Sequence, residues 1–255
     1  MDLLSYPQNH GLRPIQVQQA AAGIRLVQAN WGTLDAEAYE KHYRHEAVST
    51  EYPQLMLSNM IDTLGQWFVW LPLTSAGSAT SRGLEVTLRA QAHGRVRMLT
   101  SATYSRTSYR ALDGVRRRGN YDYPLVANTI GTVRLPRGFE LSARETYSSG
   151  HPYTPYNLTE SYAQNRGIYD LTAVNSQRGP FYNRLDLEIL RKFRLGKGML
   201  DLHGGADNIF NRHNLLGYVW LQNCQFSPEC MSEQTPVQLL PQMGLFPAFA
   251  ARYQF

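Results

Sequence analysis

The amino-acid sequence predicts an all-β fold. About nine long antiparallel strands in up-and-down order make a portion of a transmembrane β-barrel, incomplete as it stands. Three observations carry this. First, segments of mostly 11 to 14 residues alternate apolar and polar side chains, the period of a strand. A typical globular strand has about 5–6 residues, whereas a tilted strand crossing a bilayer needs roughly 9–11. Second, tight turns alternate strictly with long polar connections. In a meander every second connection lies at the same end, so one rim carries short turns and the other long loops, as in outer-membrane barrels with periplasmic turns and extracellular loops. Third, the chain ends on GLFPAFAARYQF. There Leu245, Pro247, Phe249, Ala251, Tyr253 and Phe255 share one face, and Arg252 and Gln254 share the other.

Taken in order, Arg13 to Val27 alternates Ala20, Ala22, Ile24 and Leu26 against Gln19 and Arg25, and Asn30-Trp31-Gly32 turns. Thr33 to Arg44 offers good helix formers, Ala and Glu, but its early alternation and the preceding turn favour a strand. His45 to Thr80 reads as a long loop, with Trp67 to Trp70 packed inside it or forming a short strand. Ser81 to His93 is the clearest strand, with Leu84, Val86, Leu88 and Ala90 opposite Glu85, Thr87, Arg89 and Gln91. Gly94 turns into Arg95–Tyr109. A basic loop, Arg110 to Asp122, contains Arg116-Arg117-Arg118. Tyr123 to Leu135 and Phe139 to Ser149 are strands flanking Pro136-Arg137-Gly138, and Gly150 to Pro180 is a loop. Phe181 to Phe193 and Met199 to Phe210 are strands around the turn at 195–198. Asn211 to Met243 is the last loop before the terminal strand.

Nine is odd, so the first and last strands run the same way. They would close a barrel only through a parallel seam, whereas bacterial single-chain barrels have even strand numbers. Further strands are therefore expected upstream. The opening MDLLSYPQNHG has neither a basic n-region nor an apolar h-region, so no signal peptide is expected within this chain. Residues 1–255 read as one C-terminal barrel portion without a plug domain.

No run approaches the roughly 18 apolar residues of a spanning helix, and mean hydropathy is −0.40. The net charge of +5 is scattered outside Arg116–Arg118, which argues against a nucleic-acid partner, since such binders gather their basic residues into a patch. The 16 Tyr, 4 Trp and 9 Phe suit membrane–water interfaces and β-sheets alike. The two cysteines, Cys224 and Cys230, read as a local disulfide or as two free thiols. They lack the spacing and neighbours of a zinc site.

Asn183-Arg184-Leu185-Asp186-Leu187, Lys192-Phe193, Asp207-Asn208-Ile209-Phe210-Asn211 and the final Phe255 together resemble the C-terminal end of TonB-dependent receptors. Ser149-Gly150-His151-Pro152-Tyr153-Thr154-Pro155 resembles a loop motif of the Oar-like, carboxypeptidase-regulatory-domain-containing subgroup. Arg82-Gly83-Leu84-Glu85 resembles a strand start that reads GxE in these receptors. The resemblance covers about residue 15 to the end, and Arg184, Asp186, Asn208, Phe210, Asn211 and Phe255 are its motif positions. It implies a 22-stranded barrel with an N-terminal plug and a TonB box, importing siderophores, vitamins, sugars or peptides across the outer membrane. It also implies lipid, the missing barrel and plug segments and the barrel assembly machinery as partners, with TonB reached only through the absent segments. A terminal Phe fits the signal which that machinery reads.

Glu85, Arg89, Arg144, Arg184, Asp186, Glu188 and Asp201 are expected on the barrel interior, their mixed charges forming salt-bridged ladders. His203 is expected to make a lumen hydrogen bond beside Asp201. His42 and His45 are three apart, too divergent on a strand to share a metal. No GxSxG elbow or other feature selects a nucleophile, so neither catalysis nor a cofactor is expected. The alternatives are a porin-like or adhesive barrel without energy coupling, distinguished by the absence of an upstream plug, and a soluble β-sheet binding module, distinguished by solubility without detergent.

Overall fold

The computed structural model describes residues 7–64, 71–221 and 236–255. Cys224, Cys230 and Trp67 to Trp70 lie outside the described residues. A short 3-10 turn, Pro7–Gly11, precedes strands β1 (Gln16–Ala29) and β2 (Gly32–Ser49). Helix α1 (Leu57–Leu64) leads to β3 (Leu73–Ala92), β4 (Val96–Arg110), the short β5 (Arg116–Arg118), β6 (Leu125–Arg134) and β7 (Phe139–Ser148). Next come β8 (Pro152–Tyr153), helix α2 (Leu158–Gln164), β9 (Gln177–Arg178), β10 (Tyr182–Leu195) and β11 (Gly198–Asp207). The chain ends with β12 (Leu215–Trp220), β13 (Val237–Pro241) and β14 (Phe246–Gln254).

The nine long strands form one antiparallel sheet, in the order β1-β2-β3-β4-β6-β7-β10-β11-β14, with β5 added beside β4. The sheet is open, with β1 and β14 as its edges. One rim carries the tight turns. Leu195 pairs with Gly198 across Gly196-Lys197, and Gly196 takes φ 60°, a conformation glycine adopts without steric cost. All long connections sit at the other rim.

The structure corrects the reading of 45–80 as one loop. β2 runs on to Ser49 and β3 begins at Leu73, with α1 between them. His45 at φ 61° breaks the alternation, and the register slips on either side of Glu46, as at a β-bulge. The early part of β3, LTSAGSATSRG, carries small residues on both faces and so shows no apolar period. Within the supposed loop of 211–243, β12 and β13 form a separate hairpin, and β5 extends the basic loop as a strand.

Burial is inverted relative to a soluble sheet. The buried hydrophobic residues Val48, Leu55, Met56, Met60, Leu71, Leu73, Tyr109, Ala111 and Val174 form one cluster at the loop rim. Asn59 of α1 ties it together. Its side chain accepts from the Met56 amide at 2.9 Å and donates to the Tyr109 hydroxyl at 2.7 Å. The mid-strand apolar residues have no such cover, with Ile24 63%, Leu84 47% and Phe249 82% exposed.

Candidate functional site: the polar face and its loop rim

Side chains directly opposite in an antiparallel ladder point to the same face. Arg89 pairs with Leu99, Leu99 with Ile130, Ile130 with Arg144, and Arg144 with Asp186. These pairings, with period 2 along each strand, put Glu85, Arg89, Arg144, Arg184, Asp186, Glu188 and Asp201 on one face. That face is crossed by ion pairs. Asp35 sits between Arg25 at 2.7 Å and Arg89 at 3.0 Å, and Lys192 lies 3.9 Å from Asp201. His203 Nδ1 lies 3.1 Å from Glu188 Oε1. Asp201 stands one full pleat along the same strand, and Glu188, which faces a glycine, Gly205, reaches diagonally to the imidazole. Glu85 takes a hydroxyl, Thr87 Oγ1 at 3.5 Å. Leu99 and Ile130 are an apolar pair within this polar surface.

The opposite face is an apolar band. It carries Ile24, Val86, Leu88, Ala102, Leu141, Ile189, Leu202, Phe249 and Ala251. Aromatic rings border it at both rims. Tyr104, Tyr147 and Phe181 stand on the loop side, where Tyr147 and Phe181 stack with centroids 5.7 Å apart. Phe139, Phe193, Tyr253 and Phe255 stand on the turn side. The Arg191 guanidinium lies between two of these rings, 4.8 Å from Phe139 and 5.5 Å from Phe193, so its charge sits at the interface and its stem in the band. Phe139 and Tyr147 are eight steps apart on β7. At about 3.4 Å per step and a tilt near 40°, the band is roughly 21 Å tall, close to the ~25 Å of outer-membrane barrels. Glu40 and Glu145 depart from the pattern. Both lie on this face toward its loop side, and Glu145 accepts from Asn183 Nδ2 at 3.3 Å.

The motif residues converge at the loop rim. Asp186 accepts from Arg144 Nη2 at 2.7 Å, from Arg184 Nε at 2.6 Å and from the Asn208 backbone amide at 2.9 Å. Arg184 also bridges to Asp207 at 2.7 Å. Asn208 and Asn211 take φ of 53° and 50°, a left-handed conformation that Asn tolerates. Asn208 Nδ2 donates to Arg212 O at 2.8 Å and to Met243 O at 3.3 Å, and Asn211 Oδ1 accepts from the Leu245 amide at 2.9 Å. The chain leaving β11 is thus clamped to β10 and to the segment that begins β14. Asn214 extends the clamp, accepting from the Asn183 amide at 3.1 Å and donating to its carbonyl at 2.9 Å. Phe210 stays outside, 62% exposed, and Phe255 lies at the far rim. Sequence reasoning missed Asn214 and Arg212. The recurrence of Asn near the end of β11 was the signal for left-handed corners.

The loops lock to one another. Asp122, only 3% exposed at its side chain, pairs with Arg178 at 2.7 Å and accepts from the Thr107 amide at 2.8 Å. Arg178 Nη1 also donates to Gly150 O at 2.6 Å. Asn175 Nδ2 donates to Arg118 O at 2.9 Å and to Asn120 Oδ1 at 2.8 Å. The Arg117 guanidinium holds the Asp113 carboxyl below the usual carboxylate range, against the opposing pull of burial. Gly150 packs directly on the Gly179 carbonyl, where no Cβ fits. Gly150→Ala is therefore expected to pry apart the base of the 149–181 loop. Limited proteolysis of the folded protein checks this, cleavage rising between residues 149 and 181.

Two loops meet through aromatic rings. Tyr153 and Tyr218 stand 4.4 Å apart, Tyr156 stacks on Tyr169 at 4.6 Å, and Trp220 touches Tyr156 and Tyr162 edge-on. Burial, then the Tyr169 hydroxyl, pushes the Tyr156 phenol above its ordinary range. Burial, then Tyr153, pushes Tyr218 up to about 12 from 10. A phenol whose pKa is raised in the folded state favours folding below its unfolded pKa, and that contribution is lost as pH rises through the folded value. The loop packing is therefore expected to persist to pH 10 and to be lost toward about 12. Phenolate absorbance should rise in two stages, with Tyr153→Phe lowering the second.

On the polar face Asp35, Asp186, Asp201 and Glu188 are thus engaged by arginines, a lysine and a histidine, and Glu85 by a threonine hydroxyl. The face holds strands in register and presents a hydrated surface.

Known proteins supply the context. A family model described as TonB dependent receptor-like, beta-barrel matches residues 2–209. Among solved structures, the chain is similar to the closed form of the ferric-catecholate import receptor Fiu from E. coli K12. The TM-score is 0.59 and the identity 10%, covering 96% of this chain and 28% of that one. It is also similar to the outer membrane transporter YddB from Escherichia coli. There the TM-score is 0.55 and the identity 7%, covering 95% of this chain and 33% of that one. The chain therefore spans a third or less of the structures it matches. No curated protein matches. The open sheet, the inverted burial and the two aromatic borders agree with these matches in placing the chain in the outer membrane of a Gram-negative bacterium. The chain belongs to the TonB-dependent receptor-like β-barrel family.

Proposed function

We propose that residues 1–255 supply the C-terminal strands of an outer-membrane receptor. The whole polypeptide, with its plug and further barrel strands, binds a solute and imports it by energy transmitted through TonB. The polar face lines the lumen and the apolar face meets lipid. The work is transport rather than covalent chemistry, as the family and fold of transport receptors suggest. One observation carries the reading: a sheet of nine long strands with large apolar side chains such as Ile24, Leu84, Ile189 and Phe249 exposed in mid-strand on one face and paired charges on the other. The open edges of β1 and β14 would be taken by strands of the same polypeptide, because unpaired backbone is not tolerated in lipid. Phe255 would be the residue read during assembly. The Oar-like subgroup rests on the motif from Ser149 to Pro155, which lies at the base of a loop and includes β8.

The experiment is to probe outer-membrane fractions of the native host with an antibody against residues 149–181. The expected result is one polypeptide roughly three times this chain's length, as its 28–33% share of the matched receptors implies, that is captured by the periplasmic domain of TonB. A species of 29.0 kDa that does not bind TonB would overturn the reading.

A further inference from the structure

We propose that the lipid-side rim of β3, β4 and β5 is a binding site for a phosphate of the outer-leaflet glycolipid, lipopolysaccharide. The inference rests on the reading of the apolar face as the lipid face.

Leu84 pairs with Tyr104 on the apolar face, and the next pair outward on that face is Arg82 with Arg106. Beyond it, Ser108 pairs with Arg118 and Arg110 with Arg116. The run Arg116-Arg117-Arg118 is therefore split by the strand period. Arg117 turns to the other face and is neutralised by Asp113 at 2.6 Å. Arg116 and Arg118 join Arg82, Arg106 and Arg110 above the band. The sequence shows a basic run, and only the pairing of β5 with β4 shows that two of its three charges join arginines from other strands.

Four of these arginines surround a recess of about 220 Å³ lined by Thr80, Arg82, Arg106, Ser108, Arg116 and Arg118, with Thr107 and Asp122 completing its wall. Hydrogen bonds hold the guanidiniums in place. Arg116 Nε donates to Ser108 Oγ at 2.9 Å, and Arg118 Nη1 to Ser176 O at 2.7 Å. The Arg106 guanidinium carbon stands 5.7 Å from the centre of the Tyr104 ring. Two carboxylates are near. Asp122 lies 3.8 Å from Arg106 but is buried against Arg178 at 2.7 Å. Glu40 stands opposite Arg82 and is engaged by His42 at 3.3 Å. Positive charge remains in excess where the hydrocarbon band ends.

That position selects the ligand. A phosphate seated here hangs from a molecule whose acyl chains run down beside Tyr104, Leu84 and Ala102. Arginine forks match phosphate oxygens bidentately, and basic groups at a membrane surface gain about fivefold in binding each. A soluble anion would gain nothing from the apolar surface directly below.

The test uses the receptor polypeptide purified from outer membranes in mild detergent, with defined bisphosphorylated and dephosphorylated lipid A as probes. Binding is read by native mass spectrometry. The wild-type protein should retain the bisphosphorylated form at least tenfold better. The R82Q/R106Q/R116Q/R118Q variant should lose that preference, and R97Q/R134Q, altered at the turn end, should keep it. Equal retention of both lipids by the wild type would overturn the proposal, as would an undiminished preference in the fourfold variant. Inorganic phosphate that competes as well as the lipid would also overturn it, marking a site for free anions. If the fourfold variant does not fold, the wild-type comparison of the two lipids decides alone. Failure here leaves the lipid-facing role of the band testable by spin labels on β3, so the two readings fail separately.

Discussion

Val86→Arg is expected to destabilise the folded protein by about 2–4 kcal/mol, the effect of an arginine near the midplane of the lipid face of a barrel. Thr87→Arg, one residue on, is expected to cost less than about 1 kcal/mol, because the polar face is hydrated and already carries Arg89 and Asp35. Val86 lies in mid-strand between Ala36 on β2 and Ala102 on β4, so a long side chain there has no rim within easy reach. Thr87 is flanked by Asp35 and Ser101. The contrast is read from denaturant midpoints of the refolded protein in lipid vesicles. A similar cost at both positions would contradict the two-faced assignment, and so would a neutral Val86→Arg.

Asp186→Ala is the second large effect. It strips the acceptor from Arg144, from Arg184 and from the Asn208 amide together. The Asp186 side chain is only 12% exposed, whereas Arg144 is 57% and Arg184 31% exposed, so the two guanidiniums regain water and the Asn208 amide is the donor that loses its partner. Leaving such a group unsatisfied costs about 1–3 kcal/mol. Because Asn208 fixes the corner through Arg212 and Met243, the damage should spread to the start of β14 and lower the yield of assembled protein. Asp186→Asn, which keeps an acceptor without the charge, should lose about half as much. Heat-modifiable mobility on gels measures assembly, and denaturant midpoints measure the cost. Wild-type values for both variants would show that the clamp does not hold the last strands.

The sequence made the mid-strand architecture legible because alternation there is strong. From Leu84 to Gln91 every second residue is apolar, and all nine long strands appear where that pattern appears. The rims were not legible. β3 reaches back to Leu73 through small polar residues chosen for fit rather than for face. A Cβ at Gly77 would meet Val48, and one at Gly83 would come within 2.8 Å of the Tyr39 ring. β2 continues past a bulge at His45 that hides its period. Within the loops, helix α1 and the β12–β13 hairpin are held by the rim cluster and by contacts between loops, which no local pattern encodes. The clamp was half visible. The motif residues stood out through resemblance, but the Arg144–Asp186 contact joins residues 42 positions apart, and only strand pairing brings them together. His203 shows the same limit. Its polar face was readable, yet its partner depended on the glycine opposite Glu188.

The most direct test of the central claim is a spin-label scan along β3, one cysteine at a time from position 84 to 89, in the receptor reconstituted into lipid vesicles. Labels at 84, 86 and 88 should be reached by oxygen dissolved in the bilayer and shielded from aqueous nickel reagents. Labels at 85, 87 and 89 should show the reverse, with a strict period of two. Aqueous access at 84, 86 and 88, or no alternation, would contradict a sheet that turns its apolar face to lipid and its charges to the lumen.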